Sequence, residues 1–285
     1  MSAPSLYPLP YRTFRVTGPD RASWLNGIAT ANILAAAGQT AIWSLLLNKV
    51  GKVQAEFAVV EAGDALLLGM SSEVANDVYE LLDQFLVMED AELEEVNDLS
   101  WLVVIPDAQN ESMNDIPSGA SWLTAETALA QGSARLLIGL KDEKDFRELL
   151  ATYQIADEQD WTAFRLRHKH PLFGVDFTER DKPHDAGLER LRVDWNKGCY
   201  LGQEVVCMQD MRGKVRKRLV LLKAEGALQN AQAGAEIENA EGKSVGKLTT
   251  VLGSRAIGSV KAPYDEPKAS LLVGSQAVEV ERFYG

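Results

Sequence analysis

After Gly213 the chain offers one β-prone segment after another and no amphipathic helix, and this change of character limits its fold more than any other feature. Residues 215–223, 236–239, 244–252, 256–261 and 277–283 are short, rich in β-branched and apolar residues, and mostly separated by glycine-containing turns. Such spacing predicts a small antiparallel barrel or sandwich. Upstream the pattern mixes helices and strands. Segment 11–17 is strand-like, Gly18-Pro19-Asp20 starts a short helix with Trp24, Leu25 and Ile28 inward, and 41–47 and 52–61 form a hairpin around Asn48 to Gly51. A strand at 65–70 and an amphipathic helix at 73–88, N-capped by Ser72, complete the first α+β unit. Strands at 99–105 and 135–140 and a helix at 142–153 suggest a second, with the acidic 89–98 stretch as a solvated edge and 110–119 as a loop. At 285 residues the chain is long for one core, so several lobes are expected. The domain boundary falls at Arg212-Gly213, giving 1–212 and 213–285.

Composition narrows the function classes. An apolar fraction of 46% with 25% charged residues is ordinary for a globular protein, and no apolar run approaches a membrane span. Two cysteines are too few for a disulfide framework, so a cytoplasmic setting is expected. A net charge of −12 argues against a general nucleic-acid binder.

The densest cluster of unusual residues runs from Asp194 to Glu204. It reads as a tight turn opening a helix near Leu201, with Gly198 and Gly202 permitting conformations or approaches that a Cβ forbids. Cys199, two residues from Lys197 and close to that helix start, has a setting that favours its thiolate. The plain alternative is a small residue packed into a turn, since free cysteine is usually buried and inert. Spacing alone does not separate the two. Cys207, inside the helix, is expected to be a buried thiol. His168 and His170 alternate, so a strand would put them on one face, yet a zinc site with Cys199 lacks the usual ligand spacing. Two basic clusters stand out: Arg165, Arg167, His168, Lys169 and His170, then Arg212, Lys214, Arg216, Lys217 and Arg218. Either suits an anionic ligand tail.

The string Lys197-Gly198-Cys199-Tyr200-Leu201-Gly202-Gln203-Glu204 closely resembles the signature of the YgfZ family of folate-binding proteins, relatives of the glycine-cleavage aminomethyltransferases. The likeness covers most of the chain: Gly18-Pro19-Asp20 with Trp24-Leu25 and Thr30-Ala31-Asn32, then Gly51-Lys52-Val53, Pro171-Leu172-Phe173-Gly174, Pro183-His184-Asp185-Ala186, and Val205-Val206 followed by Arg212-Gly213. The eight-residue string is specific; the other matches support it by their order.

The resemblance implies an α+β fold with two ferredoxin-like-derived folate-binding lobes and a C-terminal antiparallel β-barrel around a central opening. It implies tetrahydrofolate or a derivative as cofactor. The expected partners are iron–sulfur client enzymes, including tRNA-methylthiolating ones, with tRNA reached only through them and no membrane. Cys199, supported by Lys197, would carry the activity. Folate contacts would fall to Trp195, Gly198, Tyr200, Gly202, Gln203 and Glu204, with Arg165, Arg167, Arg212 and Lys214 as cationic partners. Two departures count against aminomethyl transfer itself. Arg167 stands where the transferases carry a ring-gripping Glu, and only Ala55-Glu56 corresponds to the acidic pair near their catalytic Asp. An accessory role is therefore the leading expectation, ahead of a one-carbon transferase or a tRNA-binding module.

Overall fold

The computed structural model describes residues 4–36, 38–106, 116–129, 131–213, 215–267 and 269–283. Its first two strands, β1 (Ser5–Leu9) and β2 (Tyr11–Thr17), are separated by Pro10 alone and enter different sheets. Proline has no N–H to give a ladder, and it sits where the chain leaves one sheet for the other. Ser72 fixes this crossing, donating from both its amide and its hydroxyl to the Pro10 carbonyl. That bond replaces the expected helix cap.

The first sheet is built from β2, β3 (Ala41–Leu47), β4 (Val53–Ala62), β5 (Ala65–Ser71) and β6 (Glu92–Val96), in the order β3-β4-β5-β2-β6. The acidic stretch is its edge strand, as its polarity suggested. Helices α1 (Arg21–Ile28) and α2 (Ala75–Asp83) cover one face. Helix α2 is shorter than the 73–88 expected. Ala75, Val78 and Leu82 form its buried stripe, and Phe85 and Leu86 still pack on that core from the turns that follow. Beyond them Val87 and Met88 find nothing to bury against and are exposed.

The second sheet runs β10-β1-β7-β9-β8, from β7 (Leu99–Ile105), β8 (Trp122–Ala128), β9 (Ser133–Leu140) and β10 (Gln154–Ile155). Helix α3 (Lys144–Leu150) buries Phe146 on one face, and is again shorter than expected. The other face packs against the first sheet: the Trp101 ring of β7 lies over Gly69 of β5, where a Cβ would come within 2.6 Å, and its Nε1 donates to Thr13 Oγ1 at 2.9 Å. The expected 110–119 loop lies partly outside the described residues.

Helix α4 (Glu158–His168) is an element that the apolar periodicity did not announce, because Arg165 interrupts its buried stripe of Trp161, Phe164 and Leu166. Asp157 opens it with a capping box to Asp160. Lys169 ends it in the left-handed conformation, φ 52°. This overturns the strand reading of His168 and His170: a helix end and a left-handed residue separate them. His168 stacks on Phe164, while His170 is buried against Trp43 and Trp161.

Helix α5 (Gln203–Arg212) leads into the barrel, whose strands are β11 (Lys217–Lys223), β12 (Glu236–Asn239), β13 (Ser244–Leu252), β14 (Arg255–Lys261), β15 (Leu271–Val273) and β16 (Gln276–Arg282). The order β11-β14-β13-β12-β15-β16 closes where β16 returns to β11, from Val220 opposite Arg282 to Lys223 opposite Glu279. Closure removes the exposed edges that an open sheet would carry. A further core joins the barrel residues Leu219, Leu221 and Ile257 to Leu45, Leu47 and Val53 of the first sheet through Phe173, Phe177, Tyr200 and Val206. No helix among the described residues is long and apolar enough to cross a membrane.

Candidate functional site

Between the two sheets and the 172–175 turn lies a cavity of about 190 Å³. Tyr7, Leu9, Pro10 and Tyr11 supply one side from β1 and β2, Trp161 comes from α4, and Leu172, Phe173 and Val175 from the turn. The Tyr7 and Trp161 rings stack with centroids 5.0 Å apart and planes within 11°. Its carboxylates are Glu56, which is buried, and Glu73 and Glu158, which are exposed. Tyr7 Oη donates to Glu158 at 2.6 Å. Flat aromatic walls with a few polar groups are what a small heterocycle needs.

A buried charge network lies behind this cavity. Arg192 Nε donates to Glu56 at 2.8 Å and Arg165 Nη1 to Asp176 at 2.7 Å, with every side chain at most 3% exposed. Asp176 also accepts from the Thr249 and Thr250 hydroxyls of β13, at 2.6 and 2.7 Å, and from the Leu172 amide. Burial raises the Glu56 carboxyl, while Arg192 and the Phe173 amide pull it back. Tyr11 is pushed well up by burial and then by Glu56. His170 sits beside the pairs, its Nδ1 3.3 Å from Arg192 Nη2. Burial, then Arg192 and Arg165, hold its pKa well below the usual range, so it is neutral.

The signature segment occupies a different place. Gly202, at φ 81°, N-caps α5, so the helix starts at Gln203 and not at Leu201. A Cβ on Gly202 would sit 2.5 Å from the Asn48 carbonyl, and one on Gly51 would meet Val205 at 3.1 Å. The signature is thus clamped against the β3–β4 hairpin. Gly198 has open space and no unusual φ, against the expectation that it permits a close approach. Lys197 is held by backbone: its Nζ donates to the carbonyls of Asn26, Ala29 and Ala31 at 2.5, 2.6 and 2.9 Å. Burial lowers its pKa to about 8, with Asp194 pulling upward. Cys199 is an exposed free thiol four residues before the helix, and Cys207 is half-buried, not buried.

The other expected contacts divide. Arg165 is spent in the buried pair, so it offers nothing to a ligand tail. Arg167 and Arg212 are exposed at helix ends, Glu204 is exposed in the first turn of α5, and Gln203 is half-buried. Lys214 lies outside the described residues. Tyr200 is buried with no partner for its hydroxyl, and burial raises its pKa. Trp195 donates from Nε1 to the Glu189 carbonyl at 2.8 Å and carries the Arg190 guanidinium 5.5 Å over its ring. None of these lines the central cavity, whose Tyr7, Tyr11 and Trp161 come from positions too far apart in sequence to advertise one another. Among the described residues no group of three or more metal-ligating side chains is arranged to hold an ion.

Two outcomes follow from this geometry. As pH falls through about 6.5 the unfolded chain protonates at His170 and the folded chain does not, so stability present above that pH is lost below it. Glu56, with its raised carboxyl, acts in the opposite sense. Urea titrations of wild type and His170→Phe should therefore converge by about 1 kcal/mol between pH 6.5 and 5.5; parallel profiles would mean that His170 is charged in the fold. Separately, Gly202→Ala should cost about 1–3 kcal/mol through strain and collision, and Gly198→Ala less than about 0.5. Equal losses would show that the clamp does not exist.

The family model for the CAF17 C-terminal beta-barrel domain matches residues 216–283, the span of the closed barrel. The mouse mitochondrial iron-sulfur cluster assembly factor IBA57 is 25% identical over 269 residues, covering 87% of this chain and 71% of that protein. The tRNA-modifying protein YgfZ of Vibrio vulnificus strain CMCP6 is 21% identical, covering 93% and 86%. The glycine cleavage system aminomethyltransferase T of Bartonella henselae superposes with a TM-score of 0.80 at 16% identity, over 98% of this chain and 85% of its own, a likeness of fold. The chain is a homologue of the YgfZ and IBA57 proteins, built on the aminomethyltransferase-like fold with a CAF17-type C-terminal barrel.

Proposed function

We propose that this chain is an accessory factor for iron–sulfur enzymes, tRNA-methylthiolating ones among them, and that it works in the cytoplasm with a reduced folate bound in the central cavity. The observation that carries the folate reading is the stack of Tyr7 and Trp161 beside the buried Glu56, in a cavity on the transferase-like fold. The pteridine ring fits these residues. It would pack against Tyr7, Tyr11 and Phe173, with Trp161 supporting Tyr7 from behind, and its N–H edge presents donors, for which a carboxylate is the natural acceptor. When bound, a tetrahydrofolate supplies one-carbon and reducing chemistry; this chain supplies walls, an acceptor and exclusion of water. Of the cations expected at the tail, Arg165 is paired with Asp176, and neither Arg167 nor Arg212 lines the cavity.

The names of the relatives support the client class: one is an iron-sulfur cluster assembly factor, the others tRNA-modifying proteins. We assign the sulfur-dependent step to Cys199, the exposed thiol of the signature. Lys197 supports it as a positioning residue, its three hydrogen bonds to backbone carbonyls holding the turn.

Calorimetry with tetrahydrofolate should show saturable binding, reduced at least about tenfold in Trp161→Ala, which removes the ring that holds Tyr7 in its stack, an arrangement worth about 1 kcal/mol or more. Absence of binding at millimolar ligand would refute the folate reading. Cys199→Ala should fold, keep tetrahydrofolate binding, and fail to restore iron–sulfur enzyme activity in cells lacking this protein, whereas Cys207→Ala should restore it. Full restoration by folded Cys199→Ala would remove the thiol from the mechanism.

A further inference from the structure

The central cavity has an unbalanced charge. Of the four buried groups behind and within it, Arg192 is neutralised by Glu56 and Arg165 by Asp176, and His170 beside them is neutral. That leaves Glu73 and Glu158, both exposed among the lining residues, with no lysine or arginine lining the cavity to offset them. Tyr7 holds Glu158 in place through its hydroxyl, and Glu73 Oε2 lies at Gly174 in the turn that walls the cavity. Low-dielectric walls concentrate such a field at an opening.

From this arrangement we infer that the cavity selects an uncharged pteridine and repels polyanionic tails, so that polyglutamylated folates are its poorest ligands. The inference rests on the folate reading above and refines it. A tetrahydrobiopterin carries the stacking ring and the donor edge without a carboxylate. Tetrahydrofolate adds two carboxylates on its glutamate, and each further glutamate adds another. Each must come to rest outside a mouth that already carries two negative charges. The sequence expectation that Arg212 and Lys214 draw the tail in predicts the opposite order of affinities.

The test is a ligand series on the full chain, by anaerobic calorimetry with tetrahydrobiopterin, tetrahydrofolate and tetrahydropteroyltriglutamate. At low salt the triglutamate should bind at least about threefold more weakly than tetrahydrobiopterin, the scale expected of a few water-screened like-charge pairs. At about 1 M salt, where the Debye length is about 3 Å, the gap should close. The double variant Glu73→Gln, Glu158→Gln leaves an acceptor for the Tyr7 hydroxyl and should remove the gap at low salt, read as the ratio of the triglutamate and tetrahydrobiopterin affinities within the same variant. Tighter binding of the triglutamate, or a gap that neither salt nor the double variant alters, would overturn the charge selection and leave the folate reading standing. No binding by any of the three would overturn both.

Discussion

Two buried ion pairs hold this molecule together at the point where its parts meet. Arg192 with Glu56 ties the 183–193 segment to β4, and Arg165 with Asp176 ties α4 to the 172–176 turn and, through Thr249 and Thr250, to the barrel. A buried pair adds little net stability against an apolar substitute, because both charges lose their water. Breaking one is another matter: an orphaned charge costs about 3–5 kcal/mol. The network therefore acts through specificity of arrangement. It admits one relative placement of sheet, helix and barrel, since any other strands a charge in a dry interior. His170, neutral and pressed between Trp43 and Trp161, fills the space that a charged imidazole would not tolerate.

The same network shows where the sequence was legible and where it was not. Apolar segments bounded by turn residues came through: β3, β4, β5 and the barrel strands β12 and β13 lie where their composition and the flanking turns put them. Helix α4 did not, because Arg165 sits in its apolar stripe, and an arginine there reads as a break unless its partner Asp176 is known. Strand β15 is only three residues long and carries no period at all. The central cavity was invisible for a related reason. Its walls come from β1, α4 and the 172–175 turn, and nothing local marks Tyr7 and Trp161 as stacking partners.

The signature was legible as unusual but was misread in part. Its glycine at 202 is required by backbone contact with Asn48, and its lysine by three carbonyls at the end of α1. These are structural demands that tie the segment to the first sheet. Cys199 meets no such demand: it is exposed, the ammonium of Lys197 is held by backbone carbonyls, and α5 starts four residues later. A rigid frame thus presents a thiol whose side chain the fold itself does not use.

Separation of the two places has a chemical consequence. The cavity has acceptors and aromatic walls but no thiol, amine or imidazole among its lining residues, and the signature has a thiol but does not line the cavity. Groups that act together on one ligand must sit about 3–3.5 Å from the reacting atoms, so the cavity's carboxylates and the Cys199 thiol serve separate contacts. The ties between them are short: Phe173 lines the cavity and shares a core with Tyr200, the signature's buried ring.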